Sequence, residues 1–113
     1  MLTVDKLNEW GADVKSGLAR CMNNEAFYLR MVGMIEADGN YDKLGQALSA
    51  GDLQAAFEAA HALKGVLGNL ALTPMFDPAS SLCEALRGRT GEDYKAMYEE
   101  LTQARNAFLE LGK

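Results

Sequence analysis

Apolar side chains recur at steps of three and four residues along most of the chain, and this spacing constrains the fold more than any other feature of the sequence. Two sets make the repeat clear: Leu7, Trp10, Val14 and Leu18, and then Phe27, Met31, Met34 and Ile35. Because an α-helix turns once in about 3.6 residues, each set forms a stripe along one side of a helix. Strands have no obvious place in this pattern, so the sequence predicts an all-α fold.

Asparagines and glycines mark the helix boundaries in the first half of the chain. Gly11 suggests a break within the first stripe. Asn23 or Asn24 is suited to cap the second helix, because its side chain can accept hydrogen bonds from the free N–H groups of the first turn. That helix is predicted to end near Gly39, and a short helix over residues 41–50 follows it.

The longest predicted helix comes after Gly51, which is typical of a C-terminal stop. Asp52 is suited to cap this helix, since its carboxylate also favours the positive end of the helix dipole. From there to about Leu72 alanine is abundant and proline is absent, so the helix propensity is high.

Two prolines complicate the next helix. Thr73-Pro74 and Asp77-Pro78 both resemble a helix start, and Pro78 has no N–H to donate to the carbonyl four residues earlier. We therefore expect a regular helix over residues 78–87, after a turn or a kinked start, with Gly88 ending it.

Thr90 and Asp93 resemble a capping box at the start of a final helix. The last apolar stripe consists of Tyr94, Met97, Tyr98, Leu101, Phe108 and Leu111. Four substantial helices with short connections, preceded by an N-terminal helical piece, predict an antiparallel four-helix bundle with an additional N-terminal helical cap.

The composition fits a single domain over residues 1–113, because a chain of 113 residues with 49% hydrophobic content can bury a core without metals or disulfides. A net charge of −5 would repel a phosphate backbone, which argues against nucleic acid as a partner. Cys21 and Cys83 lack the dense pattern of a secreted domain and are expected to be reduced, buried thiols. With no basic leader and no apolar run of roughly 20 residues, we expect a cytoplasmic location and no membrane contact.

One face of the helix over residues 52–72 differs from its core side. Winding the helix at about 100° per residue gathers the apolar side chains on one broad side. These are Leu53, Ala56, Phe57, Ala60, Leu63, Leu67 and Leu70. His61, Gly65 and Gly68 lie away from the middle of that side, so His61 is predicted to face solvent, with Lys64 as its neighbour three residues later. Each of the two interior glycines lowers helix stability by about 1 kcal/mol relative to alanine. Their placement beside the single histidine suggests that they keep room around the imidazole.

The run Ala60-His61-Ala62-Leu63-Lys64-Gly65-Val66-Leu67-Gly68-Asn69-Leu70 resembles the phosphoacceptor motif of histidine phosphotransfer domains. Gly51-Asp52 and the later run Leu82-Cys83-Glu84-Ala85-Leu86-Arg87 are also similar to that family. The resemblance implies a bundle that moves a phosphoryl group between aspartates of receiver domains, those of a hybrid sensor kinase and of a response regulator. It implies that His61 is the phosphoacceptor and that the chain needs no cofactor of its own, with Mg²⁺ expected only on the partner receiver domain.

The residues support those roles on chemical grounds. An imidazole titrates close to neutral pH, so His61 offers a neutral ring nitrogen as nucleophile. Lys64 can offset charge on the transferring phosphoryl group. Gly65 and Gly68 would let a partner approach closely, and an exposed apolar border that includes Leu72 and Met75 is expected to dock the receiver. We expect the protein to act as a monomer.

Three other function classes can be compared with the sequence. Glu58-Ala59-Ala60-His61 has the Glu-x-x-His spacing of iron sites in helical bundles, but such a site needs a second histidine, which the chain lacks. No Gly-rich phosphate loop is present, which argues against intrinsic kinase activity with ATP. A non-catalytic helical adaptor that only binds a receiver or kinase domain remains open.

Overall fold

Short helical segments form the N-terminal part of the chain in the computed structural model, which describes residues 1–91 and 93–113. They are α1 (Val4–Trp10), α2 (Val14–Arg20), α3 (Glu25–Gly33) and a 3₁₀ turn (Met34–Ala37). Gly11 ends α1 in the left-handed region with φ +117°, which glycine adopts without a Cβ clash. Asn24 caps α3 as predicted, accepting from the Phe27 N–H at 3.1 Å, but regular α-helix gives way to the 3₁₀ turn before Gly39.

Four longer helices follow and form the predicted bundle. They are α4 (Asn40–Ala50), α5 (Leu53–Asn69), α6 (Thr73–Gly88) and α7 (Tyr94–Leu111). Consecutive helices pack on each other through short connections, and α4 also contacts α7, which closes the bundle. Leucines fill the space between them, among which Leu44, Leu63, Leu67, Leu82, Leu86 and Leu101 are fully buried. No helix among the described residues is long and apolar enough to span a bilayer.

The capping prediction for α5 is confirmed and that for α7 is wrong in part. Asp52 accepts from the Ala55 N–H at 3.0 Å. At the start of α7 the N-cap is Asp93 itself, which accepts from the Ala96 N–H at 3.1 Å. Thr90 belongs to the end of α6 instead, since its N–H donates to the Ala85 carbonyl at 3.3 Å.

The predicted start of α6 is also wrong, because the helix is continuous from Thr73 and not only from residue 78. Pro74 lies in the first turn, where a backbone N–H would have no helical acceptor. Pro78 lies in the second turn and removes only the bond to the Pro74 carbonyl. The loss of one bond is small beside the apolar contacts of a helix that buries Met75, Ala79 and Leu82.

The N-terminal helical cap, which consists of α1, α2 and α3, packs on the end of α5, the helix that carries His61. The Asp13 N–H donates to the Ala71 carbonyl at 2.9 Å, and the Tyr28 hydroxyl donates to the Leu70 carbonyl at 3.0 Å. Burial raises the pKa of Tyr28 to about 12. Gly17 permits this packing, because a Cβ there would lie 2.5 Å from the Tyr28 ring. The cap therefore satisfies carbonyl groups that the end of α5 leaves without helical donors.

Candidate functional site

His61 lies near the middle of α5 and is exposed to solvent, which confirms the predicted orientation. Ala60 and Leu63 are buried, so the helix presents its core side to the bundle and the imidazole to solvent. The imidazole stacks on the ring of Phe57, one turn earlier, with centroids 5.8 Å apart and planes inclined by 24°. This contact orients the imidazole while leaving it accessible.

His61 borders two hollows in the surface. The first, the apolar groove, has a volume of about 830 Å³ and lies between α5, the end of α3 and the 3₁₀ turn. Its apolar lining includes Met31, Met34, Ile35, Ala62 and Val66. The second, the charged cleft, has a volume of about 330 Å³ and lies between α5, α6 and the end of α2. Its lining includes Arg20, Lys64, Gly68, Asn69 and Phe76.

Lys64 lies in the charged cleft with His61, as their spacing predicts, and its side chain is only 28% exposed. Its Nζ is 3.8 Å from Oε2 of Glu84 on α6. The same carboxylate oxygen accepts from Nε of Arg87 at 3.1 Å. The Arg87 guanidinium also lies over the ring of Phe57, 5.0 Å from its centroid. One member of this connected set of charges, Arg87, thus contacts the residue on which His61 stacks.

The electrostatics of this set favour an ionised Glu84. Its hydrogen bond and charge interaction with Arg87 lower the pKa of the Glu84 carboxyl, and Lys64 and His61 act in the same direction more weakly. Because the carboxylate is exposed, water screens these interactions. Glu84 is therefore an anion that lies between the cations of Lys64 and Arg87.

The two glycines after His61 differ in their surroundings. At Gly65 a Cβ would have no neighbour within 4 Å, so the backbone there is open to an approaching molecule, as predicted. At Gly68 a Cβ would lie 2.9 Å from the ring of Phe76. The space that Gly68 leaves is therefore filled by Phe76, and the Gly68 carbonyl accepts from the guanidinium of Arg20. Gly68 therefore serves packing in the fold and also lines the charged cleft, and its role in admitting a partner stays a prediction.

The prediction that Leu72 docks the receiver is wrong, because its side chain is fully buried. Leu72 is the N-cap residue of α6, and its carbonyl accepts from the N–H groups of Met75 and Phe76 at 3.0 and 2.9 Å. Met75, predicted on the same exposed border, is only 1% exposed. Continuing α6 back to Thr73 turns both side chains into the core.

The exposed apolar surface next to His61 comes from the apolar stripe that includes Met31, Met34 and Ile35. Met34 is 60% exposed at the apolar groove, and the buried residues of that segment are Tyr28, Val32 and Ile35. The buried set Tyr28, Val32 and Ile35 has helical spacing, and so has the set Met31, Met34 and Ile35. Periodicity alone therefore does not decide which side of this segment faces the core. The Glu84 and Arg87 pair, in contrast, has a three-residue spacing from which a surface ion pair could have been predicted.

The Glu-x-x-His spacing finds no partners for a metal site. In the part of the chain that the structure describes, no group of three or more histidine, cysteine, aspartate or glutamate side chains is arranged to hold a metal ion. Cys21 and Cys83 are both free and buried, as predicted.

Comparison with protein-family models matches residues 33–110 to one model, that of the Hpt domain. The matched segment includes the 3₁₀ turn and reaches almost to the end of α7, so it contains His61, Lys64 and Glu84. Neither the comparison with curated proteins nor that with solved structures gives a match.

Proposed function

We propose that this chain, which belongs to the Hpt domain family, carries the phosphoryl group of a two-component phosphorelay on His61. Hpt domains are phosphocarrier modules that work in histidine phosphotransfer and interact with receiver domains of kinases and regulators. The observation that supports the assignment of His61 is its exposure between the apolar groove and the charged cleft. No other residue of the chain is a histidine.

The transfer proposed is a reversible exchange between a receiver aspartate and His61. A neutral ring nitrogen of His61 attacks the phosphorus of the aspartyl phosphate, and an N–P bond forms as the P–O bond to the aspartate breaks. The aspartate leaves as a carboxylate, and the imidazole becomes a phosphoramidate. Lys64 offsets the charge on the transferring group, since catalysis of phosphoryl transfer depends mainly on positioning and electrostatics.

The receiver is proposed to dock on the apolar groove. Met34 is the most exposed large apolar side chain of this groove, and Met31 and Val66 are partly buried beside it. Flexible methionine side chains adapt to more than one partner surface, which suits a carrier that binds a donor and then an acceptor. Open backbone at Gly65, next to His61 on the helix surface, allows the receiver's aspartate to come close. Any Mg²⁺ that the reaction needs is assigned to the receiver.

The test is phosphate exchange with a purified receiver. A receiver labelled on its aspartate should transfer label to the wild-type chain as a product that is labile to acid and stable to base. His61→Gln should abolish labelling with little change in thermal stability, since exposed substitutions usually stay within about 0.5 kcal/mol. The chain should not label from ATP alone. Binding of several cognate receivers without any transfer would support the adaptor function instead.

We also propose that the carrier works in the cytoplasm, where its two free thiols would stay reduced.

A further inference from the structure

Glu84 is a surface carboxylate that lies between two cations. Its Oε2 lies 3.1 Å from the Arg87 Nε and 3.8 Å from the Lys64 Nζ, so one carboxylate oxygen is shared by two cations. Lys64 projects from α5 and borders the charged cleft with His61, whereas Glu84 lies on α6. Glu84 on α6 therefore contacts α5 through Lys64, the cation that is proposed to offset the charge of the phosphoryl group.

The contact between Lys64 and Glu84 is weak enough for Lys64 to leave it for another anion. The Glu84 side chain is 55% exposed and the 3.8 Å separation is long for a hydrogen bond, so the pair is weak and readily broken. Arg87 holds Glu84 more closely, so the carboxylate stays in place when Lys64 leaves it. A phosphoryl group on His61 carries nearly two negative charges at neutral pH and would compete with Glu84 for Lys64.

We propose, on the basis of the proposed function, that Glu84 is a positioning residue that withdraws Lys64 from the phosphoryl group on His61 and so favours return of that group to a receiver. The carboxylate acts in two ways. It offers Lys64 an alternative partner, and it adds a negative charge beside a group that is already negative. Both effects raise the free energy of the phosphohistidine relative to free histidine. A carrier benefits from this, because a phosphoryl group bound too stably would not be passed on.

The experiment measures the equilibrium distribution of labelled phosphate between a purified receiver and this chain. Glu84→Gln keeps the size of the side chain and removes its charge. It should shift the distribution toward phosphohistidine by about two- to fivefold, the range expected for one exposed ion pair. Glu84→Asp keeps the charge and should stay closer to the wild type. No shift, or a shift toward the receiver, would overturn the proposal.

A matched control comes from the end of α7. Glu110 pairs with Lys113 at 3.0 Å and three residues apart, as Glu84 does with Arg87, but it lines neither hollow beside His61. Glu110→Gln should leave the distribution unchanged. An equal shift in that variant would show that net charge alone is responsible and would contradict the proposal.

A double-variant cycle tests whether Glu84 acts through Lys64. In a Lys64→Ala background, Glu84→Gln should shift the distribution by clearly less than it does in the wild type. An undiminished shift would refute the route through Lys64. If the wild-type chain accepts no phosphate on His61, the proposed function itself fails. If the wild type accepts phosphate and Glu84→Gln matches it, only the role of Glu84 fails.

Discussion

The apolar groove and the charged cleft differ in composition although both border His61 and both are built on α5. Methionine, isoleucine and valine side chains line the groove, whose outer wall is the end of α3 and the 3₁₀ turn. The cleft holds Arg20 and Lys64, and the Glu84–Arg87 pair on α6 contacts Lys64 and Phe57 next to it. The imidazole thus stands where a surface suited to binding meets a surface suited to charge stabilisation.

Under the proposed function, this difference means that docking and chemistry would depend on separate neighbours of one helix. Substitutions in the groove should alter which receiver binds and how tightly, while leaving the reactivity of His61 intact. Substitutions beside the cleft should alter transfer while leaving binding intact. The family match includes α5, α6 and the 3₁₀ turn, but it begins after Arg20 and Met31, so part of the wall of each hollow lies outside it.

The largest effect is expected from a charge placed in the groove. Met34→Glu should weaken receiver binding by about 2 kcal/mol, roughly 30-fold in Kd, because a carboxylate would replace an apolar contact in the proposed docking surface. Thermal stability should change little, since Met34 is 60% exposed. Titration calorimetry gives the Kd, and transfer at saturating receiver should recover most of the wild-type rate.

Met22 provides the control for this prediction. It is 90% exposed and lines neither hollow beside His61. Met22→Glu should therefore bind the receiver as the wild type does. If both variants lose affinity equally, the receiver does not use the groove and the comparison between the two hollows fails.

The next effect in size belongs to the cleft. Lys64→Ala should slow transfer at saturating receiver by about tenfold, less than the loss of a fully buried oxyanion donor, because Lys64 is partly exposed. The Kd for the receiver should stay close to the wild-type value. Lys95→Ala, an exposed lysine on α7, should leave the transfer rate unchanged in rapid-quench measurements. A change in Kd without a change in rate would place Lys64 in docking and not in chemistry.

The orientation of His61 could be predicted from sequence because it depends only on helical spacing within one helix. The caps at Asn24 and Asp52 were also predictable, since a cap acts within a single turn. The motif around His61 and Lys64 was enough to indicate the family. All these features are local to one segment of the chain.

The proposed docking surface could not be predicted from sequence, because it depends on which side of the segment from α3 to the 3₁₀ turn faces the core. Met34 and Tyr28 both lie on helical stripes, and only packing against α5 buries Tyr28 and leaves Met34 exposed. Leu72 was misplaced because the helix after Asp52 was predicted to reach about Leu72, whereas α5 ends at Asn69 and Leu72 is the N-cap of α6. The lack of a side chain at Gly68 suggests open space beside the helix, but Phe76 from the next helix fills that space.

The two glycines after His61 give a smaller and purely structural contrast. Gly65→Ala should stabilise the fold by about 0.5–1 kcal/mol, because alanine has the higher helix propensity and nothing lies within 4 Å of the new Cβ. Gly68→Ala gains the same propensity but crowds the Phe76 ring at 2.9 Å, so it should be less stable than Gly65→Ala by about 1 kcal/mol. Urea denaturation measures both. Equal stabilities would mean that Phe76 moves aside without cost.

The smallest effect expected is the pH dependence of the ion pairs beside the cleft. Arg87 first, and Lys64 and His61 after it, lower the pKa of Glu84 in the folded chain. A carboxyl whose folded pKa lies below its unfolded value adds stability at pH values above the unfolded pKa, and this contribution is lost as pH falls through the lowered folded pKa. NMR titration of the Glu84 carboxyl carbon should therefore find a midpoint below the ordinary value of about 4.3. Arg87→Gln should raise that midpoint more than Lys64→Ala does, because Arg87 donates the 3.1 Å hydrogen bond and Lys64 lies farther away. The reverse order would mean that Lys64 is the main partner of Glu84, and the carboxylate would then restrain it too strongly to release it to a phosphoryl group.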